Sequence, residues 1–164
     1  DKVFSAGVIG QFDVDRNGVF DAKETEQVRT KAFSNLKKYG YFTFLRKGSA
    51  RSYPDRVEDF TVRQKDGVVT YGFRIPLEGK GFEGDFAVAS FDSTFYTDLR
   101  YAEEGITLTW LSEEPAVPPT MTIAKNESFP VYYNPKSSAS DLQVYLKPAP
   151  GLNTAYPTEV RVRF

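Results

Sequence analysis

The chain predicts an α+β fold in one domain. A helix–loop–helix over residues 1–40 docks on an antiparallel β-sandwich of about eight strands over 41–164. Three observations predict it. Apolar residues recur at helical spacing up to Gly40 and at alternate positions beyond it. A twelve-residue acidic stretch, DVDRNGVFDAKE, separates the two helical patterns. No helical pattern intervenes between the later strands, as a parallel βαβ sheet would need.

Each element has its own signal. In Asp1–Phe12, the side chains Phe4, Val8, Ile9 and Phe12 fall on one helical face. Asp21–Tyr39 repeats the period with Val28, Ala32, Phe33, Leu36 and Tyr39, and Gly40 supplies a stop. Tyr41–Arg46 opens the β region. Val57–Gln64 and Val68–Pro76 flank Asp66-Gly67, a dipeptide suited to a two-residue hairpin turn. Asp85–Phe91, Ile106–Leu111, Thr120–Lys125, Leu142–Leu146 and Val160–Phe164 follow as short alternating runs. Pro and Gly mark Ser112–Pro119, Asn134–Ser140 and Lys147–Pro157 as loops.

Composition removes whole classes of chemistry. With 21 Lys and Arg against 22 Asp and Glu, the chain lacks the basic surplus of a nucleic-acid binder. No apolar run nears the ~20 residues of a membrane-spanning helix, so no membrane insertion is expected. There is no Cys and no His, which excludes thiolate and imidazole as nucleophiles or ligands. A bound metal must use oxygen, and oxygen selects hard cations such as calcium or magnesium.

Residues 13–24 supply such oxygens in order. Asp13, Asp15 and Asn17 stand at positions 1, 3 and 5, and Gly18 at position 6 permits the sharp turn. Val19 at position 7 offers its carbonyl, Asp21 at position 9 binds directly or through water, and Glu24 at position 12 can give two oxygens. The stretch resembles an EF-hand, so the helical part is an EF-hand-like helix–loop–helix. Ca²⁺ is the expected ion, with Mg²⁺ disfavoured because a flexible bidentate Glu suits the larger cation. Position 8 departs from the pattern: Phe20 replaces a smaller aliphatic residue, which points to an unusual neighbour. Sensor hands work in pairs, and this sequence has one loop, so a structural clip is expected.

The runs VFSAGVIGQFDVDRNGVFDAKE, KAFSNLKKYGYFTFLR and FDSTFYTDLR resemble a bacterial domain-of-unknown-function family, the one numbered one thousand and seven. The likeness covers residues 1–101 well and the C-terminal third poorly. It implies an exported, periplasmic or secreted protein, accessory to a transport system, with genes beside nickel or cobalt exporters. It also implies a His-Pro-His strand ahead of the helix. This chain carries no His and opens on the helical pattern itself.

Other signals are weaker. Gly79–Gly84 fits a phosphate-loop spacing but precedes a strand, where no helix N-terminus can meet a phosphate. Ser34–Lys37 matches S-x-x-K without its companion motifs. No spacing singles out a carboxylate pair among Asp92, Asp98, Glu103, Glu104, Glu113 and Glu114. The expected function is therefore calcium binding without catalysis, with a protein partner of the membrane-transporter kind. The alternative is a calcium-stabilised carbohydrate-binding or adhesion module. It rests on Tyr96, Tyr101, Tyr132, Tyr133, Tyr145 and Tyr156, whose rings could stack on sugars.

Overall fold

The computed structural model describes residues 2–77, 84–94, 99–101, 106–107, 117–138, 143, 145 and 147–164. The chain forms two compact units, Asp1–Lys38 with Asp55–Pro76, and Tyr39–Pro54 with Leu77–Phe164.

The first unit begins with α1 (Lys2–Phe12), which buries Ser5, Val8 and Phe12. After the acidic loop comes α2 (Ala22–Lys31), opened by a capping box between Asp21 and Glu24. The second helix is shorter than its apolar period implies. From Phe33 to Phe42 the backbone is 3₁₀, broken by non-helical angles at Tyr39, Gly40 and Tyr41. Local competition explains the tightening. Ser34 Oγ donates to the Thr30 carbonyl at 2.7 Å, and Asn35 Nδ2 to the Lys31 carbonyl at 3.0 Å. Gly40 sits at φ +59, where a Cβ would run into the Tyr53 ring.

Strands β3 (Glu58–Lys65) and β4 (Val68–Arg74) pair antiparallel across Asp66-Gly67. Both turn residues have positive φ, 51° and 73°, as a type I′ turn requires. This hairpin belongs with the helices, not with the other strands as the sequence had suggested. Its Val62 joins Val8, Phe12, Phe20 and Val28 in one buried cluster. Phe33 adds ring contacts to Phe60 at 4.3 Å and Tyr71 at 5.5 Å. Full burial of each such side chain contributes about 1.5–3 kcal/mol, ample to hold a lone hairpin that is marginal by itself. Ser5 Oγ accepts the Val69 N–H at 3.0 Å, fastening α1 to β4. Phe4, expected inward, is 53% exposed and meets Tyr71 edge-on at 6.4 Å.

The second unit holds β1 (Thr43–Lys47), β2 (Ala50–Ser52), β5 (Phe86–Ser90), β6 (Thr120–Lys125) and β9 (Thr158–Arg163). They form a five-stranded antiparallel sheet in the order β2-β1-β5-β9-β6. A separate pair joins β7 (Val131–Tyr133) to β8 (Asn153–Ala155), and Tyr132 bridges Tyr145. Phe44, Ala89, Phe91 and Val131 make the core here, with Phe44 and Phe91 stacked at 3.8 Å.

The α+β class stands, but the single sandwich does not: the described strands fall in three antiparallel sheets. Three-residue strands β2, β7 and β8 carry too little alternation to be read from sequence. β8 even lies inside the Pro-flanked stretch 147–157, expected to be loop. Most of the expected strands 106–111 and 142–146 falls outside the described residues.

Candidate metal centre

The acidic loop joins the C-terminus of α1 to the N-terminus of α2, so its first and last carboxylates are carried by helix ends. Asp13 and Glu24 are buried, each 6% exposed, while Asp15, Asn17 and Asp21 lie at the surface. Ligand oxygens of Asp13, Asp15 and Glu24 lie within 4.8 Å of one another. Among the described residues no Lys or Arg forms an ion pair with any of the three.

Backbone amides hold these carboxylates in place. Asp13 Oδ1 accepts the Asn17 N–H at 3.1 Å, and its Oδ2 accepts the Gly18 N–H at 3.2 Å. Glu24 spans the loop: Oε1 accepts the Val14 N–H at 2.7 Å, and Oε2 the Asp21 N–H at 3.1 Å. Gly18 at φ +82 makes the reversal that brings the two ends together. Arg16 reaches φ 57 without being Gly, in the same tight loop.

The other expected ligands are engaged differently. Asn17 Oδ1 accepts the Val19 N–H at 2.7 Å, while its Nδ2 donates to Asp15 Oδ2 at 2.7 Å. Asp21 Oδ1 accepts the Glu24 N–H at 2.7 Å and so caps α2. The structure therefore gathers Asp13, Asp15 and Glu24, uses Asp21 as a cap, and keeps Asn17 and Val19 in the intervening turn. This all-oxygen set suits a hard divalent cation, and the amide bonds leave lone pairs free on the carboxylates.

Two features were not legible in the sequence. Gln64, on β3, donates Nε2 to Asp13 Oδ2 at 2.8 Å. Phe20 is 8% exposed and packs in the cluster that contains Val62. The neighbour of this loop is thus the β3–β4 hairpin, which accounts for the large side chain at position 8. Of the Tyr residues weighed as a stacking surface, Tyr101 donates its hydroxyl to the Thr158 carbonyl at 3.0 Å. Tyr96 lies outside the described residues.

The fold and this loop define an α+β protein with an acidic helix–loop–helix braced by a hairpin. The family described as "Protein of unknown function (DUF1007)" matches residues 1–164, and the chain belongs to it. The chain is also similar to an uncharacterized 15.5 kDa protein in the trpE 3′ region of Spirochaeta aurantia. The two are 38% identical over 97 residues, covering 57% of this chain and 67% of that protein. No solved structure matches the chain.

Proposed function

We propose that the loop 13–24 binds Ca²⁺ and that the ion clips α1, α2 and the β3–β4 hairpin together without catalysis. One observation carries the reading: three carboxylates from both ends of the loop converge within 4.8 Å with no basic side chain paired to them among the described residues. Like charges at such distances repel, and a divalent cation removes the repulsion. Asp13, Asp15 and Glu24 supply carboxylate oxygens. The Asn17 side chain, the Val19 carbonyl and Asp21, directly or through water, complete a shell of the size calcium prefers.

A clip follows from the surroundings. A sensor opens a helix pair and uncovers an apolar groove. Here the apolar faces of α1 and α2 already meet Phe20 and Val62 in one cluster. Calorimetric titration of the chain with CaCl₂, repeated with MgCl₂, tests the proposal. Saturable calcium binding with weaker magnesium binding is expected, and absence of both rejects it.

A further inference from the structure

The five-stranded sheet borders a cleft of about 300 Å³. Its walls include Arg46, Arg161 and Arg163 from two strands, and Asn126, Ser128 and Phe129 from the segment after β6. The strand register explains why guanidiniums collect there. Arg51 pairs with Arg46, Arg46 with Ala87, Ala87 with Arg161, and Arg161 with Thr122. These residues form one row across one face of the sheet. Ala87, standing between Arg46 and Arg161, adds only a methyl group to the row.

Each basic group in the row has a different status. Each guanidinium nitrogen of Arg46 is engaged: Nε and Nη2 grip Glu159 at 2.8 and 2.6 Å, and Nη1 donates to the Gly48 carbonyl at 2.7 Å. Arg51 Nη2 donates to the Phe129 carbonyl at 2.6 Å, and both guanidiniums lie over the Phe129 ring. Glu159 is satisfied as well, since Asn126 Nδ2 adds a third bond at 2.7 Å. Arg161 is left over. Its Nε is 3.5 Å from Glu159 Oε2 and buried without a hydrogen-bond acceptor, and its Nη2 reaches the Lys125 carbonyl only at 3.4 Å. Arg163 is exposed and has no ion-pair partner among the described residues.

A guanidinium with unspent donors beside a satisfied carboxylate is not explained by that carboxylate. Its Nη donors, unlike the buried Nε, suit an acceptor from outside. Arg161 and Arg163 are two residues apart on β9, hence on one face and roughly 6–7 Å apart by the strand rise. That spacing lets two guanidiniums flank one oxyanion, with the Ser128 hydroxyl on the same wall. The lining holds three arginines against one acid, Asp85, whose Oδ1 accepts the Phe164 N–H at 2.9 Å. We infer that this cleft binds a small molecule through a carboxylate or phosphoryl group held by Arg161 and Arg163, beside an Arg46 that Glu159 holds in place. The cleft shares no residue with the acidic loop, and its test does not depend on calcium.

The experiment is an amide chemical-shift titration of the full chain with inorganic phosphate, with succinate and with chloride at matched ionic strength. Saturable shifts confined to residues around 46, 126–129 and 161–163 are expected with phosphate or succinate, but not with chloride. Saturation by phosphate alone assigns a phosphoryl group, and by succinate alone a carboxylate. Arg163→Ala, which breaks no side-chain hydrogen bond or ion pair within the described residues, should weaken binding about tenfold, as removal of a charge-assisted donor does. Arg161→Lys keeps the charge but loses the fork, and should weaken it several-fold with the fold intact. Linear shifts of equal size with all three anions would overturn the inference. So would saturable binding that both variants leave unchanged.

Discussion

Gln64 donates its side-chain amide to Asp13 Oδ2 at 2.8 Å, joining residues 51 apart in sequence. That bond carries the hairpin to the first carboxylate of the acidic loop. It holds Asp13 by Oδ2, as second-layer partners hold metal ligands. Gln64→Leu should therefore lower calcium affinity, by about tenfold at the low end of such effects. It should also cost about 1–2 kcal/mol in chelator, because a partly buried carboxylate loses a donor. Calorimetry and urea denaturation measure the two effects. A variant unchanged in both would remove Gln64 from the site.

Capping and ligation can be separated at the start of α2. Glu24→Gln retains a side chain able to complete the capping box but removes charge and the two-oxygen grip. Asp13→Asn removes charge from the other end of the loop. Each should weaken calcium binding at least about tenfold, the scale of one lost charged contact. Asp21→Asn keeps a capping oxygen and should change chelator stability by only a few tenths of a kcal/mol, whereas Asp21→Ala should cost about 1 kcal/mol. Wild-type affinity in both Glu24→Gln and Asp13→Asn would exclude them as ligands.

Calcium should stabilise without opening the molecule. At free calcium about 100 times the dissociation constant, linkage gives about 2.7 kcal/mol. For a chain of this length that is roughly a 5–10 °C rise in Tm. Melts followed by circular dichroism, with chelator and with calcium, measure it. Binding of a hydrophobic dye should stay level. An unmoved melt with a calcium-dependent rise in dye fluorescence would replace the clip with a switch.

The Glu159–Arg46 pair predicts a pH dependence for the sheet. Burial pushes the Glu159 carboxyl up. Hydrogen bonds from Arg46 and Asn126, with the charges of Arg46 and Arg161, outweigh it and hold the group below its ordinary value. A depressed carboxylate stabilises the fold at neutral pH, and that stability is lost as pH falls through the folded value. Urea midpoints should hold steady from pH 7 to about 5 and fall below about pH 4. Glu159→Gln leaves Arg46, with a side chain only 15% exposed, without its counter-charge. It should cost about 3 kcal/mol at pH 7 and flatten the acid limb. An acid limb as steep in the variant as in the wild type would show that other carboxylates control it.

By itself the sequence determined what depends on near neighbours. The order of oxygens in 13–24, Gly18 at the reversal and the Asp66-Gly67 turn are set within a few residues. In each case the backbone angle or the hydrogen-bond partner is local, so spacing reveals it. Helix existence was legible from the apolar period, but the end of α2 was not, because Ser34 and Asn35 bond back to the helix and convert its last turns to 3₁₀. Only the tertiary structure decided that the hairpin braces the helices, that Gln64 meets Asp13, and that Arg46, Arg161 and Glu159 gather on one sheet face. The Gln64–Asp13 and Arg46–Glu159 bonds join residues 51 and 113 positions apart. Alternation tells a strand which residues share a face, but not which strand lies beside it. That choice is made by burial of whole faces at once, where Val62 fits Phe20 and Ala87 leaves room between arginines.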